Sequence, residues 1–178
     1  MSLLGTTRFL LFAWLTASAA MAAAEDGYIG DQNGCKIANP NPRPNETVSW
    51  SGECRNGFGQ DGGVMEWMID KQPGPRYEGA LDRGELSGTG KLTMPDGTTY
   101  QGGWSNGKQN GVGKLALPGG DAYEGEWKDG QPDGEGTMIL GSGQMVKGVW
   151  KEGALIAPAQ ENPMSPAQGD PASPAQEN

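Results

Sequence analysis

Residues 100–113 read YQGGWSNGKQNGVG, and residues 123–136 read YEGEWKDGQPDGEG. The two stretches carry a tyrosine, a tryptophan and four glycines at matching places, with Tyr100 and Tyr123 23 residues apart. Self-similarity at a fixed period of this length is the signature of a repeat architecture built from one small supersecondary unit. The repeat, and not any single glycine or carboxylate within it, therefore decides the fold.

More copies appear when the same register is carried along the chain. Residues 77–90, YEGALDRGELSGTG, depart from the pattern at Leu81, which stands in the tryptophan position. Residues 146–153, VKGVWKEG, form a truncated last copy. Residues 50–63, WSGECRNGFGQDGG, form a degenerate first copy in which Asp61 replaces a glycine. The units start near residues 50, 77, 100, 123 and 146.

The pattern Y-x-G-x-W-x-x-G-x-x-x-G-x-G at this period resembles the MORN repeat. The resemblance covers about residues 48–156 of the chain. It implies a scaffold that supports protein association. Some proteins of the family have also been linked to membrane lipids, which the resemblance leaves as an alternative.

The alternation of side chains within one unit predicts two short, half-buried strands. Tyr100, Gly102 and Trp104 share parity, as do Leu115 and Leu117, so each set lies on one face of a strand. The expected fold is all-β, a single-layer antiparallel meander of β-hairpins. Glycines beside the aromatic positions are expected to make room for rings from neighbouring strands.

Two kinds of turn connect the predicted strands. The glycines of PDG (95–97) and PGG (118–120) favour tight turns at one end of the units. At the other end, the turn at Asn106–Gly107 is expected to include Lys108 to Asn110 and so to be longer than two residues.

The aromatic residues of the repeats form a stripe on one face of the predicted sheet. The stripe is either the core of the sheet itself or, because a single layer covers a face only partly, an open groove for a peptide, a glycan or another subunit. Its members are Tyr77, Tyr100, Trp104, Tyr123, Trp127 and Trp150.

The ends of the chain differ in composition from the repeats. Residues 1–24 have the layout of a secretory signal peptide cleaved after Ala24, which predicts an exported protein, periplasmic or extracellular. Residues 25–47 form a lead-in to the repeat domain, which is placed at 48–157. Residues 158–178 repeat Pro, Ala and Gln at an eight-residue spacing and predict a disordered tail, either a spacer or a tether for another component.

Two cysteines, Cys35 and Cys54, are the whole complement of the chain. In an exported protein a pair of cysteines predicts one disulfide. Cys54 takes the tryptophan position of the first unit, so the bond is expected to tie the lead-in over the first hairpin and cap it.

Charge and composition reduce the range of partners and activities that the chain could have. The 178 residues carry a net charge of −9, and removal of Arg8 with the leader leaves 12 basic and 22 acidic residues, a net −10. Such a chain is repelled by nucleic acid and by anionic membranes. The chain has no histidine, which excludes His-based acid–base catalysis.

No enzyme activity, cofactor or metal site is predicted. The acidic residues near the turns lack the nonapeptide period of calcium-binding β-solenoids and are interpreted as a solvated surface. We expect protein partners of unidentified type, with a glycan or cell-wall polymer as the first alternative and a membrane lipid as the second.

Overall fold

The described part of the chain is a β-sheet. The structure is a computed structural model that describes residues 27–159; the predicted signal peptide and the predicted tail beyond Ala159 lie outside them. Residues 27–159 contain no helix that could cross a bilayer. One sheet joins their thirteen strands. These are β1 (Tyr28–Gly30), β2 (Lys36–Ala38), β3 (Glu46–Trp50), β4 (Glu53–Arg55), β5 (Phe58–Ile69), β6 (Gln72–Asp82), β7 (Glu85–Thr93), β8 (Thr99–Ser105), β9 (Lys108–Ala116), β10 (Ala122–Lys128), β11 (Gln131–Ile139), β12 (Met145–Lys151) and β13 (Ala154–Pro158).

Strands β5 to β13 follow one another across the sheet in chain order, and each neighbouring pair is antiparallel. Each repeat therefore contributes one hairpin: the unit near Tyr100 supplies β8 and β9, and the unit near Tyr123 supplies β10 and β11. In the degenerate first unit, β3 and β4 both pair with the long strand β5 and together take the place of one strand. The predicted single-layer hairpin meander is confirmed.

One pairing departs from the antiparallel rule. β1 and β2 form a small antiparallel hairpin, and β2 then lies parallel to β5, with Lys36 opposite Phe58. Parallel neighbours require a crossover connection, and here the chain between the two strands passes through β3 and β4. The lead-in is thus a strand addition to the sheet, which the repeat pattern does not encode.

A row of glycines crosses the sheet on eight adjacent strands. Each glycine is the register partner of the next, because every unit places its glycines at the same distance from its tyrosine. A Cβ at most of these positions would overlap a tyrosine or tryptophan ring or a neighbouring backbone, so the row leaves the space that the rings fill. The row consists of Gly63, Gly79, Gly90, Gly102, Gly113, Gly125, Gly136 and Gly148.

The prediction of a long turn after Trp104 was wrong. The turn has two residues, Asn106 and Gly107, both with positive φ (47° and 74°), and Ser105 pairs directly with Lys108. Two positive φ values define the hairpin turn whose twist matches that of the strands. The remaining residues are accommodated by a register shift between Gly102 and Trp104. The extra length is therefore absorbed as a bulge within the hairpin.

The bulge explains the second glycine of the pattern. Gly88, Gly111 and Gly134 all have positive φ at this place. Asp61 replaces the glycine in the first unit and keeps the same conformation, with φ at 57°. Aspartate is among the few side chains that enter this region readily, so the substitution preserves the bulge.

The lead-in closes the N-terminal end of the sheet. Cys35 is buried and is bonded to Cys54, which is exposed on β4. The N–H of Ala38 donates a hydrogen bond of 2.9 Å to the carbonyl of Gly84, in the turn of the next unit. The predicted disulfide is confirmed, and disulfides are typical of non-reducing environments.

Ile37 accounts for the leucine in the tryptophan position of the second unit. Ile37 and Leu81 are both almost fully buried. A Cβ placed at Gly59 would meet the terminal carbons of both side chains at 2.8 Å. The isoleucine of the lead-in therefore shares with Leu81 the space that an indole fills alone in the later units.

The C-terminal edge of the sheet is formed by β13, all of whose residues are exposed. The β12–β13 register shifts between Val149 and Trp150, and the N–H of Ala159 donates to the carbonyl of Lys147. Strand alternation then directs the nitrogen of Pro158, which carries no hydrogen, away from β12. A bulge and a proline both disfavour further strand pairing at an edge.

Candidate functional site: the aromatic column and the two faces of the sheet

The aromatic residues of the predicted stripe form one continuous column along the sheet. Tyrosines and tryptophans alternate, and each tryptophan packs against the tyrosine of the preceding unit. Trp104 and Trp127 also contact the tyrosine of their own unit, and every contact has centroids 5.0–5.6 Å apart and planes 80–86° apart. Edge-to-face geometry of this kind adds about 0.5–1.5 kcal/mol per pair beyond area burial. The order along the column is Tyr77, Trp104, Tyr100, Trp127, Tyr123, Trp150.

Each tyrosine hydroxyl donates to a carbonyl three residues later in the chain. The acceptor of Tyr77 is Ala80 at 3.0 Å, and the acceptor of Tyr100 is Gly103 at 3.0 Å. Trp50 makes the equivalent contact in the first unit, through its indole N–H to the carbonyl of Glu53. The ring in the tyrosine position is therefore tied to the backbone three residues further along the chain, even where the ring type changes.

The N–H of each tryptophan in the column donates to the carbonyl of a glycine in the preceding unit, and that glycine belongs to the row of glycines that crosses the sheet. Trp104 bonds the carbonyl of Gly90 at 3.2 Å, and Trp127 bonds that of Gly113 at 3.1 Å. The buried polar atoms of the rings are thus satisfied within the sheet. The column joins successive units by packing and by hydrogen bonds.

The burial of the six side chains decides whether the column is core or an open binding groove. The three tyrosines are at most 2% exposed and the three tryptophans at most 8%. The structure therefore places all six side chains in the core of the sheet, on what we call the aromatic face. Their ring faces are occupied by one another and are not free to stack on a ligand.

Burial also changes the acidity of the phenols. It raises the pKa of Tyr77 and of Tyr100 to about 12. It raises the pKa of Tyr123 as well, with smaller contributions from the negative charges of Glu126 and Asp133. The three phenols therefore keep their hydrogen-bond donors to a higher pH than exposed tyrosines do.

The aromatic face is not fully covered, however. Leu92, Leu115 and Met138 pack against the core but remain half-buried. Leu92 and Leu115 each lie opposite two tyrosines of the column in the strand register, and Met138 lies opposite Tyr123. Leu117, on the same strand parity as Leu115, is 42% exposed. An aliphatic strip with at least one element in each of these three units thus borders the column.

The carboxylates around the turns make local contacts. Asp96 accepts the N–H of Thr98, which lowers the pKa of the Asp96 carboxyl, and Asp121 accepts the N–H of Gly141. The ammonium of Lys151 lies 2.9 Å from Asp133 and lowers its carboxyl pKa, mainly through their hydrogen bond. Within residues 27–159 no three potential metal-ligating side chains converge.

The opposite face of the sheet carries a feature that the sequence analysis missed. Val112, Met145 and Val149 point away from the column and are exposed, Val112 to 72% and Met145 to 62%. The sequence did carry a signal for this feature: these apolar residues stand at alternate strand positions where a solvent-facing surface predicts polar residues. The strand register was needed to show which of these residues are neighbours.

Comparison with protein families identifies the fold unit. Residues 77–99, 100–122 and 123–145 each match the MORN repeat. The chain thus contains three consecutive MORN repeats, modules that generally interact with proteins or membranes and are not catalytic. A comparison with curated proteins found no match. The units near Trp50 and Val146 extend the same sheet on either side of the matched residues.

Proposed function

We propose that this protein is an exported, non-catalytic MORN-repeat scaffold that mediates protein–protein interaction in the cell envelope or outside the cell. The disulfide between Cys35 and Cys54 supports a non-reducing location. The repeat class supports an interaction role. The net charge of −9 disfavours nucleic acid and anionic lipid as partners.

The observation that carries this proposal is the aliphatic strip on the aromatic face, formed by Leu92, Leu115, Leu117 and Met138. Its elements recur with every hairpin, so neighbouring elements lie two strand spacings, about 10 Å, apart. A linear array of small apolar contacts suits an elongated protein segment lying across the strands. Protein interfaces combine an apolar centre of this kind with a polar rim.

A glycan or cell-wall polymer is the second candidate, and the burial of the rings counts against it. Sugar recognition by stacking needs an exposed ring face, and Trp104 and Trp127 are each 6% exposed. A membrane-lipid module is the third candidate. The chain is acidic overall, and on the opposite face Lys114 is paired with Glu124, so these residues form no basic patch that would attract an anionic lipid surface.

The test is crosslinking in the native compartment followed by recovery of the protein. We expect Leu117→Glu to lose the crosslinked partner, because the substitution places a charge in the strip. Thr89→Glu is the matched control, since Thr89 is exposed on the opposite face of β7. A chain ending at Ala159 tests the tail separately. Equal recovery with Leu117→Glu and with Thr89→Glu would overturn the proposed role of the strip.

Two further measurements separate the alternatives. Retention on cell-wall material would favour the glycan reading, and flotation with liposomes would favour the lipid reading.

Trp104→Ala and Trp127→Ala should lose stability and binding together, because the rings are core. A stably folded variant of either residue that had lost only binding would instead show that the column is itself the site.

A further inference from the structure

The opposite face of the sheet changes from polar to apolar along one row of register partners. The row lies at the end of the sheet that carries the PDG (95–97) and PGG (118–120) turns, and it is continuous from β5 to β12. Its first four members are polar and its last four are apolar, although all occupy equivalent positions in the repeats. In order they are Glu66, Arg76, Thr93, Thr99, Ala116, Ala122, Ile139 and Met145.

We propose that strands β10 to β12 form a face-to-face interface between two copies of this chain, with the two-fold axis parallel to β11. The inference stands independently of the proposed function, because it uses the face that the aromatic column leaves free. An isologous interface requires a patch that is complementary to itself. The register pairs of these three strands allow that condition to be checked.

The first feature that makes the patch complementary to itself is side-chain size. The register places Ala122, Ile139 and Met145 side by side on β10, β11 and β12. A two-fold axis along β11 sets Ile139 against its own copy and Ala122 against Met145 of the second copy. A small residue then faces a long flexible one on both sides of the axis. Met145 is 62% exposed in the single chain, so this contact would cover a large apolar side chain.

The second feature that makes the patch complementary to itself is its charge. The next row on the same face holds Glu124, Thr137 and Lys147 on the same three strands. The same axis sets Thr137 against its own copy and Glu124 against Lys147 of the second copy, twice per dimer. Glu124 also lies 3.5 Å from Lys114 of its own chain, a contact that leaves both side chains more than half exposed. Charge complementarity of this kind fixes register in an interface.

Glu135 limits the interface toward the opposite end of the strands, where the turns equivalent to Asn106–Gly107 lie. It lies on β11 next to Val149 and is exposed. On the axis it would face its own copy, and two like charges across an interface oppose association. The closest packing is therefore expected around Ile139 and Thr137. Facing sheets pack about 10 Å apart with their strand directions within about 30° of each other, so the axis runs close to the direction of β11 and the contacts nearest to it stay in register.

The experiment is sedimentation velocity of the full chain over a range of concentrations. We expect a monomer–dimer equilibrium, and we expect Lys147→Glu and Glu124→Lys each to weaken it by about tenfold or more, because each creates two like-charge contacts. Mixing the two variants should restore a dimer, since every contact in the heterodimer then pairs opposite charges. Glu135→Gln should tighten the dimer.

Ile139→Asp provides an independent variant, and Thr99→Asp is its matched control. Thr99 occupies the same row on β8, outside the three strands. Tryptophan fluorescence reports folding, because all three column tryptophans lie on the other face. A chain that stays monomeric at all concentrations would overturn the proposal, as would a dimer unaffected by Lys147→Glu or a mixture of the two charge variants that stays monomeric.

Discussion

The ring of Tyr100 lies over Gly113 on the adjacent strand, in the space that a side chain at Gly113 would occupy. The two residues belong to the two strands of one hairpin, and equivalent pairs join Tyr77 to Gly90 and Tyr123 to Gly136. The relationship explains why glycine, normally unfavourable within a strand, recurs in the middle of these. The glycine and the ring form a single packing unit.

Gly113→Ala tests this packing unit. The backbone at Gly113 does not have positive φ, so the substitution adds a steric conflict with the ring and no backbone strain. We expect a loss of about 1–3 kcal/mol in the free energy of unfolding, the usual cost of overpacking. Denaturant titration measures it. Gly119→Ala is the control, since nothing lies within 4 Å of its Cβ, and equal effects at the two sites would contradict the explanation.

Leu81→Trp restores the repeat pattern but should destabilise the fold. The space beside Leu81 is filled by Ile37 of the lead-in, so an indole would overpack it at a cost of about 1–3 kcal/mol. Adding Ile37→Ala to Leu81→Trp should recover part of the loss, whereas Ile37→Ala alone should cost about 2–5 kcal/mol. Thermal unfolding compares the variants. A more stable Leu81→Trp protein would show that the site has room for the indole.

Reduction of the Cys35–Cys54 bond should open the N-terminal end of the sheet first. The bond holds the lead-in against the first hairpin, and a closed loop of this size contributes about 3 kcal/mol in the chain-entropy model. Hydrogen exchange should then rise in β1, β2 and β4 while β8 to β12 keep their protection. Cys35→Ser with Cys54→Ser should give the same map without reductant. Unchanged exchange, or a uniform rise across the sheet, would contradict the prediction.

The buried phenols predict a loss of stability at alkaline pH. An unfolded tyrosine ionises near pH 10, whereas the pKa of Tyr77 and Tyr100 in the fold is about 12. Between these values the unfolded chain releases protons that the folded chain retains, so the free energy of unfolding falls as pH rises. Below about pH 10 both states keep the proton and this contribution is fully present.

Ultraviolet titration of tyrosinate, combined with denaturant titration at each pH, measures the effect. Tyr100→Phe should reduce the slope of stability against pH between about 10 and 12, because one shifted group is removed. It should also cost about 1 kcal/mol at neutral pH through the lost hydrogen bond to Gly103. Column tyrosines that titrate near pH 10 in the folded protein would contradict the prediction.

Much of the column could be read from the sequence because its pattern is local. Parity within a strand places Tyr100 and Trp104 on one face, and the 23-residue period carries that face from unit to unit. Neither rule states how a neighbouring strand aligns. The bulge that shortens the turn at Asn106–Gly107, and the covering of Gly113 by Tyr100, depend on pairing between strands.

The sequence by itself determined the class of fold, the hairpin repeat and the residues of the aromatic stripe, since each depends on spacing along the chain. It also determined the disulfide pair, since the chain has two cysteines. Only the tertiary structure decided that the stripe is buried, that Ile37 completes the site at Leu81, and that β2 joins β5 in parallel. It alone also placed Ala122, Ile139 and Met145 together on the opposite face. These contacts join residues distant in sequence, and a chain pattern with period two fixes which face a side chain takes but not which residue lies beside it.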